Sequence, residues 1–214
     1  AADFQIMING QTITASACIG RSIIFNVFDP ISLKPFYNQA LPSLIPSGTY
    51  GGFMGSAGTC NNASTSGTQY NFEFHYYDTT SRRKMRDFMD WVPNGYIVTS
   101  RIILNEPYSE SFVDNWKADQ LKYGVGNTFY DRMKTAGFAA IDDLTYPRSW
   151  VFVYKKNIPE FSPQYKVSDG LNDKIILSLN ISSPDTLGYI TSPSFGPAAA
   201  WSQVKWRGTS QDMT

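Results

Sequence analysis

"YNFEFHYYDTTSRRKMRDFMDWVPNGYIVTSRIIL", residues 70–104, changes its hydrophobic period twice. Residues 70–77 alternate. Phe72, Phe74 and Tyr76 share one face, and Glu73, His75 and Tyr77 the other, as on a strand. From Asp78 the period lengthens. Met85, Phe88, Met89 and Val92 recur at helical spacing, and Asp78, Thr79 or Thr80 is placed to cap the helix. Arg82, Arg83, Lys84 and Arg86 are then expected mostly on the outer, solvated face. Pro93-Asn94-Gly95 ends the helix, and "YIVTSRIIL" (96–104) reads as a buried strand.

The elements on either side extend this pattern. "FQIMI", Asn9-Gly10 and "QTITA" form a hairpin signal, because Asn-Gly supplies the positive φ angles of a tight two-residue turn. "SIIFNVFDP" (22–30) is a strand stopped by Asp29-Pro30. Residues 31–69 are rich in Pro, Gly, Ser and Asn and read as a long surface loop. Beyond residue 104, residues 111–123 and 126–136 read as helices broken at Gly124, with Gly137 as C-cap. A short strand is expected near 138–141, then the loop "DDLTYPRS" (142–149) and the strand "WVFVYKK" (150–156). "NIPEFSP" (157–163) reads as a linker, "DKIILSLNIS" (173–182) as a strand, and 183–208 as Pro/Gly-punctuated β material.

The fold class expected is therefore α+β: an antiparallel-rich β sandwich with two or three short helices, flanked by β-only segments. The central domain is placed at 20–157. The flanks, 1–19 and 158–214, are read as candidates for one small β sandwich that the central domain interrupts.

The 214 residues carry 18 Lys plus Arg against 18 Asp plus Glu, so the formal net charge is zero. Nothing in that balance draws the chain to nucleic acid or anionic membranes. No apolar run approaches the roughly 18 residues that a membrane-spanning helix needs. The start at Ala1-Ala2-Asp3 and the polar end "RGTSQDMT" are read as the cut ends of a piece of a longer protein. Cys18 and Cys60 are the two cysteines, and their Gly/Ser/Asn-rich setting reads as one disulfide in an oxidising compartment. It would close a loop of about 40 residues, stabilising by roughly 3–4 kcal/mol in the chain-entropy model. Two unrelated thiols are the alternative.

Counting removes most catalytic templates. His75 is the one histidine, placed mid-strand, and no Gly-x-Ser-x-Gly turn accompanies it. There is no zinc-type cluster of His and Cys, no P-loop and no dinucleotide-binding glycine fingerprint. No catalytic residue, metal or cofactor is assigned. Asp142, Asp143, Asp173 and Asp185 leave a carboxylate glycan hydrolase as an alternative, although all four occupy turn-like contexts. What remains is binding. Trp91, Trp116, Trp150, Trp201, Trp206 and 13 tyrosines supply flat, rigid area for sugars or protein rims, or else for the core. "NAS" (62–64) and "NIS" (180–182) match glycosylation acceptors. Arg148 and Trp150 have two readings. Either Trp150 begins a buried strand while Arg148 bonds carbonyls or stacks on an aromatic, or Arg148 and Trp150, with Asp142 or Asp143, form a shallow polar sugar site.

From residue 22 to residue 156 the order of elements resembles the interleukin-like EMT inducer domain. "IIFNVFDPISLKP" resembles its opening strand and turn. "FHYYDTTSRRKMRDFMDWVPNGYIVTSRI" resembles its helix, turn and central strand, and "YPRSWVFVYKK" its closing strand. The loop at 37–69 and the stretch at 105–128 are longer than that pattern. The tail "SPDTLGYITSPSFGPAAAWSQVKWRG" is similar to a segment beside such domains in very large secreted Bacteroidetes proteins. Those proteins are related to the gingipain-like sortases of type IX secretion, and the segment lies outside their peptidase region. The resemblance implies a β sandwich with short helices against it, and a non-enzymatic role. That role is an extracellular recognition module, secreted or at the cell surface, for a glycan or protein ligand beside neighbouring domains of the parent chain. A structural spacer supporting a peptidase-like or adhesin domain is the first alternative.

Overall fold

A computed structural model describes residues 5–14, 17, 20–38, 68–104, 112–170 and 173–181. The chain divides into two compact units, Ala1–Ser183 and Pro184–Thr214, and every described residue lies in the first. Cys18, Cys60, the "NAS" segment, Trp201, Trp206 and the tail after residue 182 fall outside the described residues, as does Ser182 of "NIS".

The fold is α+β. A two-stranded sheet, β1 (Ile6–Ile8) and β2 (Gln11–Thr14), accompanies a five-stranded antiparallel sheet. The larger sheet contains β3 (Ser22–Phe28), β4 (Phe72–His75), β5 (Ile97–Ile103), β6 (Trp150–Lys155) and β7 (Gln164–Val167), in the order β4-β3-β5-β6-β7. Three helices join them: α1 (Thr79–Trp91), α2 (Phe112–Ala118) and α3 (Phe129–Thr135). A helical turn, Gln120–Tyr123, follows α2.

Register decides which side chains share a face. Opposite partners in an antiparallel ladder point the same way. Ile23 pairs with Phe74 and Ile102, Phe25 with Phe72 and Ser100, and Val27 with Val98. Val98 pairs in turn with Tyr154, and Ser100 with Phe152. This near face meets the helices in one core that includes Met85, Phe88, Trp116, Phe129 and Met133. The opposite register, Ile24–Glu73, Ile24–Arg101, Asn26–Thr99 and Phe28–Ile97, makes the far face. All seven residues of β3 are buried, because both faces are covered.

The local signals explain the element ends. Asp78 caps α1, its carboxylate accepting from the Ser81 N–H at 2.8 Å. Thr128 and Asp131 form a capping box on α3. Asn9 and Gly10 have φ of 50° and 79°, as the two-residue hairpin requires. Gly137 follows α3 at φ +97°, and a Cβ there would lie 2.7 Å from Cγ of Pro163. That contact seats residues 157–163 against the end of α3.

Three expectations change. The strand near 138–141 is instead a 3-10 turn, Ala139–Asp143. Phe138 and Ile141 are both buried, and a spacing of three puts them on one side of such a turn but on opposite faces of a strand. Arg82 is not on the solvated face. It is 4% exposed, and its Nε and NH2 donate to Asp119 at 2.5 and 2.8 Å while NH1 donates to the Tyr76 carbonyl at 3.0 Å. Residues 173–181 alternate in burial like a strand yet join no ladder among the described residues. The sheet also extends past residue 157 through β7, which pairs with β6 from Trp150–Val167 to Val153–Gln164.

The Arg82–Asp119 pair ties α1 to the α2 side with both side chains nearly dry, at 5% and 7% exposure. Removing one partner strands the other charge. Asp119→Ala is expected to cost about 3–5 kcal/mol in urea unfolding; a midpoint shift equivalent to less than about 1 kcal/mol would place the pair among weak surface contacts.

Candidate functional site

The far face of the sheet carries polar residues where apolar ones would be expected. Arg101 lies in β5, the middle strand, and is 7% exposed. Its NH1 donates to Asn26 Oδ1 at 2.6 Å, and its NH2 reaches Asn71 Oδ1 at 3.4 Å. Asn26 Nδ2 donates to the Tyr70 carbonyl at 2.7 Å and to Asn71 Oδ1 at 2.9 Å. Asn71 Nδ2 in turn donates to Glu73 Oε1 at 2.9 Å, and Asn38 Nδ2 to the Asn71 carbonyl at 2.8 Å. Thr14 at the end of β2 donates its hydroxyl to Asn71 Oδ1 at 3.1 Å. That bond fastens the β1–β2 hairpin over the sheet. Burial pushes the Arg101 guanidinium down to about 10, against the opposing pull of the Glu73 carboxylate.

Beside this network is a cavity of about 460 Å³. Its floor is Ile97, Thr99 and Arg101 of β5 with Val151 and Val153 of β6 and Phe28 of β3. One wall is β1, through Ile6 and Ile8. The other is the segment 173–181, through Leu177, Leu179 and Ile181. The volume falls in the roughly 300–1,000 Å³ range of small-molecule sites. Arg101 Nε and Thr99 Oγ1 are both buried without a hydrogen-bond partner. A second cavity, of about 490 Å³, lies between α3 and the turn after β6, lined by Arg132, Tyr154, Lys156 and Phe161 among others. Lys156 Nζ there donates to the Met89 carbonyl at 2.6 Å, and burial lowers its pKa. Among the described residues, neither cavity has an aspartate or glutamate in its lining.

The residues singled out from the sequence are placed elsewhere. Trp150 is 1% exposed and packs on Phe138 with ring centroids 5.0 Å apart. Arg148 lies over the Tyr146 ring at 4.1 Å and reaches the Ser168 carbonyl at 3.5 Å. Those are the carbonyl and aromatic contacts of the packing reading. Asp142 accepts from Tyr130 Oη at 2.5 Å, from Lys134 Nζ at 2.6 Å and from Lys117 Nζ at 3.0 Å. These donors, Lys134 foremost, hold its carboxyl well below the usual carboxylate range. Asp143 is exposed at the end of the 3-10 turn. Among the described residues no hydrogen bond or ion pair joins Asp142 or Asp143 to Arg148. His75 is half-buried and stacks near Tyr77 at 4.9 Å.

Arg101 and its network were not singled out by sequence reasoning. A signal exists: an arginine inside the apolar strand "IVTSRII" and an asparagine inside "SIIFNVF" are rarely buried without partners.

No protein-family model matches this sequence, and no curated protein matches it.

Two outcomes follow from these contacts. In a double-mutant cycle, Tyr146→Ala and Arg148→Ala are expected to couple by about 0.5–1 kcal/mol in thermal unfolding; strict additivity would remove the stacking contact from the account. Asp142 has a folded pKa below its unfolded value, so its stabilisation is complete above about pH 4 and is lost as pH falls through the folded pKa. With 38% of the side chain exposed, screening holds its effect to about 1 kcal/mol. Asp142→Asn is expected to lower the urea midpoint at about pH 7, with the gap to the wild type narrowing from about pH 4 downward. A gap that stays constant with pH would show that charge is not the cause.

Proposed function

We propose that this chain is a non-catalytic recognition module within a larger secreted or cell-surface protein, and that its recognition element is the cavity between the β1–β2 hairpin and residues 173–181. The observation that carries this reading is the cavity itself. It has about 460 Å³ of space over the centre of the sheet, apolar walls and two unpartnered polar atoms at its floor. An apolar concavity with a few convergent polar groups is the usual form of a small-ligand site. The extracellular setting rests on the resemblance to the interleukin-like EMT inducer domain and on the proposed Cys18–Cys60 disulfide.

The lining favours one branch of the expected ligand classes. A sugar ring carries hydroxyls on every side, and each one buried here without a partner would cost free energy. The side chains of Ile6, Ile8, Val153, Leu177, Leu179 and Ile181 offer no such partners. A compact ligand with a large apolar part suits these walls better than a glycan does.

The test is binding of the neutral apolar fluorophore N-phenyl-naphthylamine to the 214-residue chain. Saturable enhancement is expected, and Leu177→Trp, which puts bulk into the cavity from a wall outside the ladder, is expected to weaken it by about tenfold or more. Equal enhancement in the variant, with the fold intact by circular dichroism, would move the probe to another surface and sink the reading.

A further inference from the structure

We propose that the ligand of this cavity is an amphiphile with an unbranched alkyl chain and a carboxylate head, the head seated at Arg101 and Thr99. This rests on the cavity being the recognition element, and it adds the chemical class and orientation of the occupant.

The cavity has a polar end and an apolar end. Ile97, Thr99 and Arg101 are alternate residues of β5, so they line its floor along one strand direction. Four residues of strand span roughly 13 Å. Arg101 marks one end of that span, and Thr99 lies midway along it. Phe28 is paired with Ile97 and marks the other. The floor is therefore long enough for an extended chain, and along β5 it runs from the polar Arg101 and Thr99 to the apolar Ile97 and Phe28.

The polar end lacks an acceptor. Two of the three guanidinium nitrogens of Arg101 have side-chain oxygens, and Nε has none. Thr99 Oγ1, on the same face two residues away, is also unpartnered. A guanidinium and a hydroxyl together match the two oxygens of a carboxylate, one charge-assisted and one neutral bond. Among the described residues of the lining, Arg101 and Lys174 are cationic and none is an acid. The Glu73 carboxylate lies outside the lining and leaves the desolvation of Arg101 only partly offset. An anionic head would supply the remainder. A ligand without a head would leave both orphan atoms as they are.

The experiment is isothermal titration calorimetry of the whole chain with decanoate and with decanol, which has the same chain length and no charge, at equal salt and neutral pH. Decanoate is expected to bind about tenfold or more tightly than decanol. Thr99→Val, which keeps the shape and removes the hydroxyl, is expected to reduce that preference by several-fold, and Arg101→Gln to abolish it. Across hexanoate to hexadecanoate, affinity is expected to rise with chain length and then level off as the cavity fills. If decanoate and decanol bind alike, the head-group assignment is overturned and the cavity reading stands. If neither binds and N-phenyl-naphthylamine is also silent, both are overturned. The wild-type comparison decides the first question even where Arg101→Gln fails to fold.

Discussion

Arg101 sits almost fully buried in the middle strand of a five-stranded sheet, and the far side of the structure is arranged around that fact. A buried guanidinium is tolerated only where its donors find acceptors and its charge finds compensation. Asn26 answers from the neighbouring strand and Asn71 from the residue before β4, with Glu73 behind them. Asn71 Oδ1 also takes the Thr14 hydroxyl, so the same group that serves the arginine positions the hairpin. The hairpin's apolar edge, Ile6 and Ile8, is thereby placed over Phe28, Ile97 and Val153. One charge inside the sheet thus sets the position of a separate two-stranded element.

The two faces solve the burial problem differently. On the helix side, large rings interlock: Phe88 lies 5.3 Å from Phe25 and 4.8 Å from Phe72, and Trp116 lies 5.2 Å from Phe129. Some polar groups there pair with each other, although Ser100 Oγ, Trp150 Nε1 and Tyr154 Oη are buried without a partner. Arg82 and Asp119 satisfy each other, and Trp116 Nε1 donates to the Tyr76 carbonyl at 3.1 Å. That face is packed by side chains of one continuous core and has stability as its evident role. On the far side the covering elements are a hairpin and an extended segment. They meet the sheet through a smaller apolar cluster and leave space between them.

Much of this was legible in the sequence, and the parts that were not have identifiable causes. β3, β5 and α1 announce themselves because their apolar period matches the element they form and their ends carry strong signals, Asp29-Pro30, Asp78 and Pro93-Asn94-Gly95. Arg82 looked solvated because it sits in a run of bases. Yet it shares a stripe with Met85 and Met89 at spacings of three and seven, and its acid is 37 residues away. β7 is four residues of mostly exposed "QYKV", an edge strand whose pairing comes from its neighbour and not from its own composition. Residues 173–181 carry a true alternation, but alternation reports which side chains face inward and is silent on whether a ladder partner exists. The site was missed for a related reason. Its polar residues are scattered over β2, β3, β4 and β5, and only the register brings Asn26, Thr99 and Arg101 onto one face.

That register also explains why a recognition site fits this position and not the better-packed face. Closing the cavity with larger apolar side chains would leave Arg101 Nε and Thr99 Oγ1 no route to an acceptor, so filling the space and satisfying its floor are competing demands. An occupant with both an apolar body and an acceptor meets the two demands together. It does so between walls that differ in their anchoring. The hairpin is held by Thr14, whereas residues 173–181 lie outside every ladder among the described residues. Elements with few backbone hydrogen bonds open at lower free energy than sheet interiors. On the proposed reading, the wall formed by Leu177, Leu179 and Ile181 is the one that would separate first to admit a ligand. Because a ligand bound under it would stabilise only the closed arrangement, occupancy would multiply the closed-to-open ratio of this wall by one plus the ratio of ligand concentration to Kd. On that reading, entry, affinity and local order would all follow from one arrangement: a buried charge that fixes one wall and leaves the other to be closed by the proposed ligand.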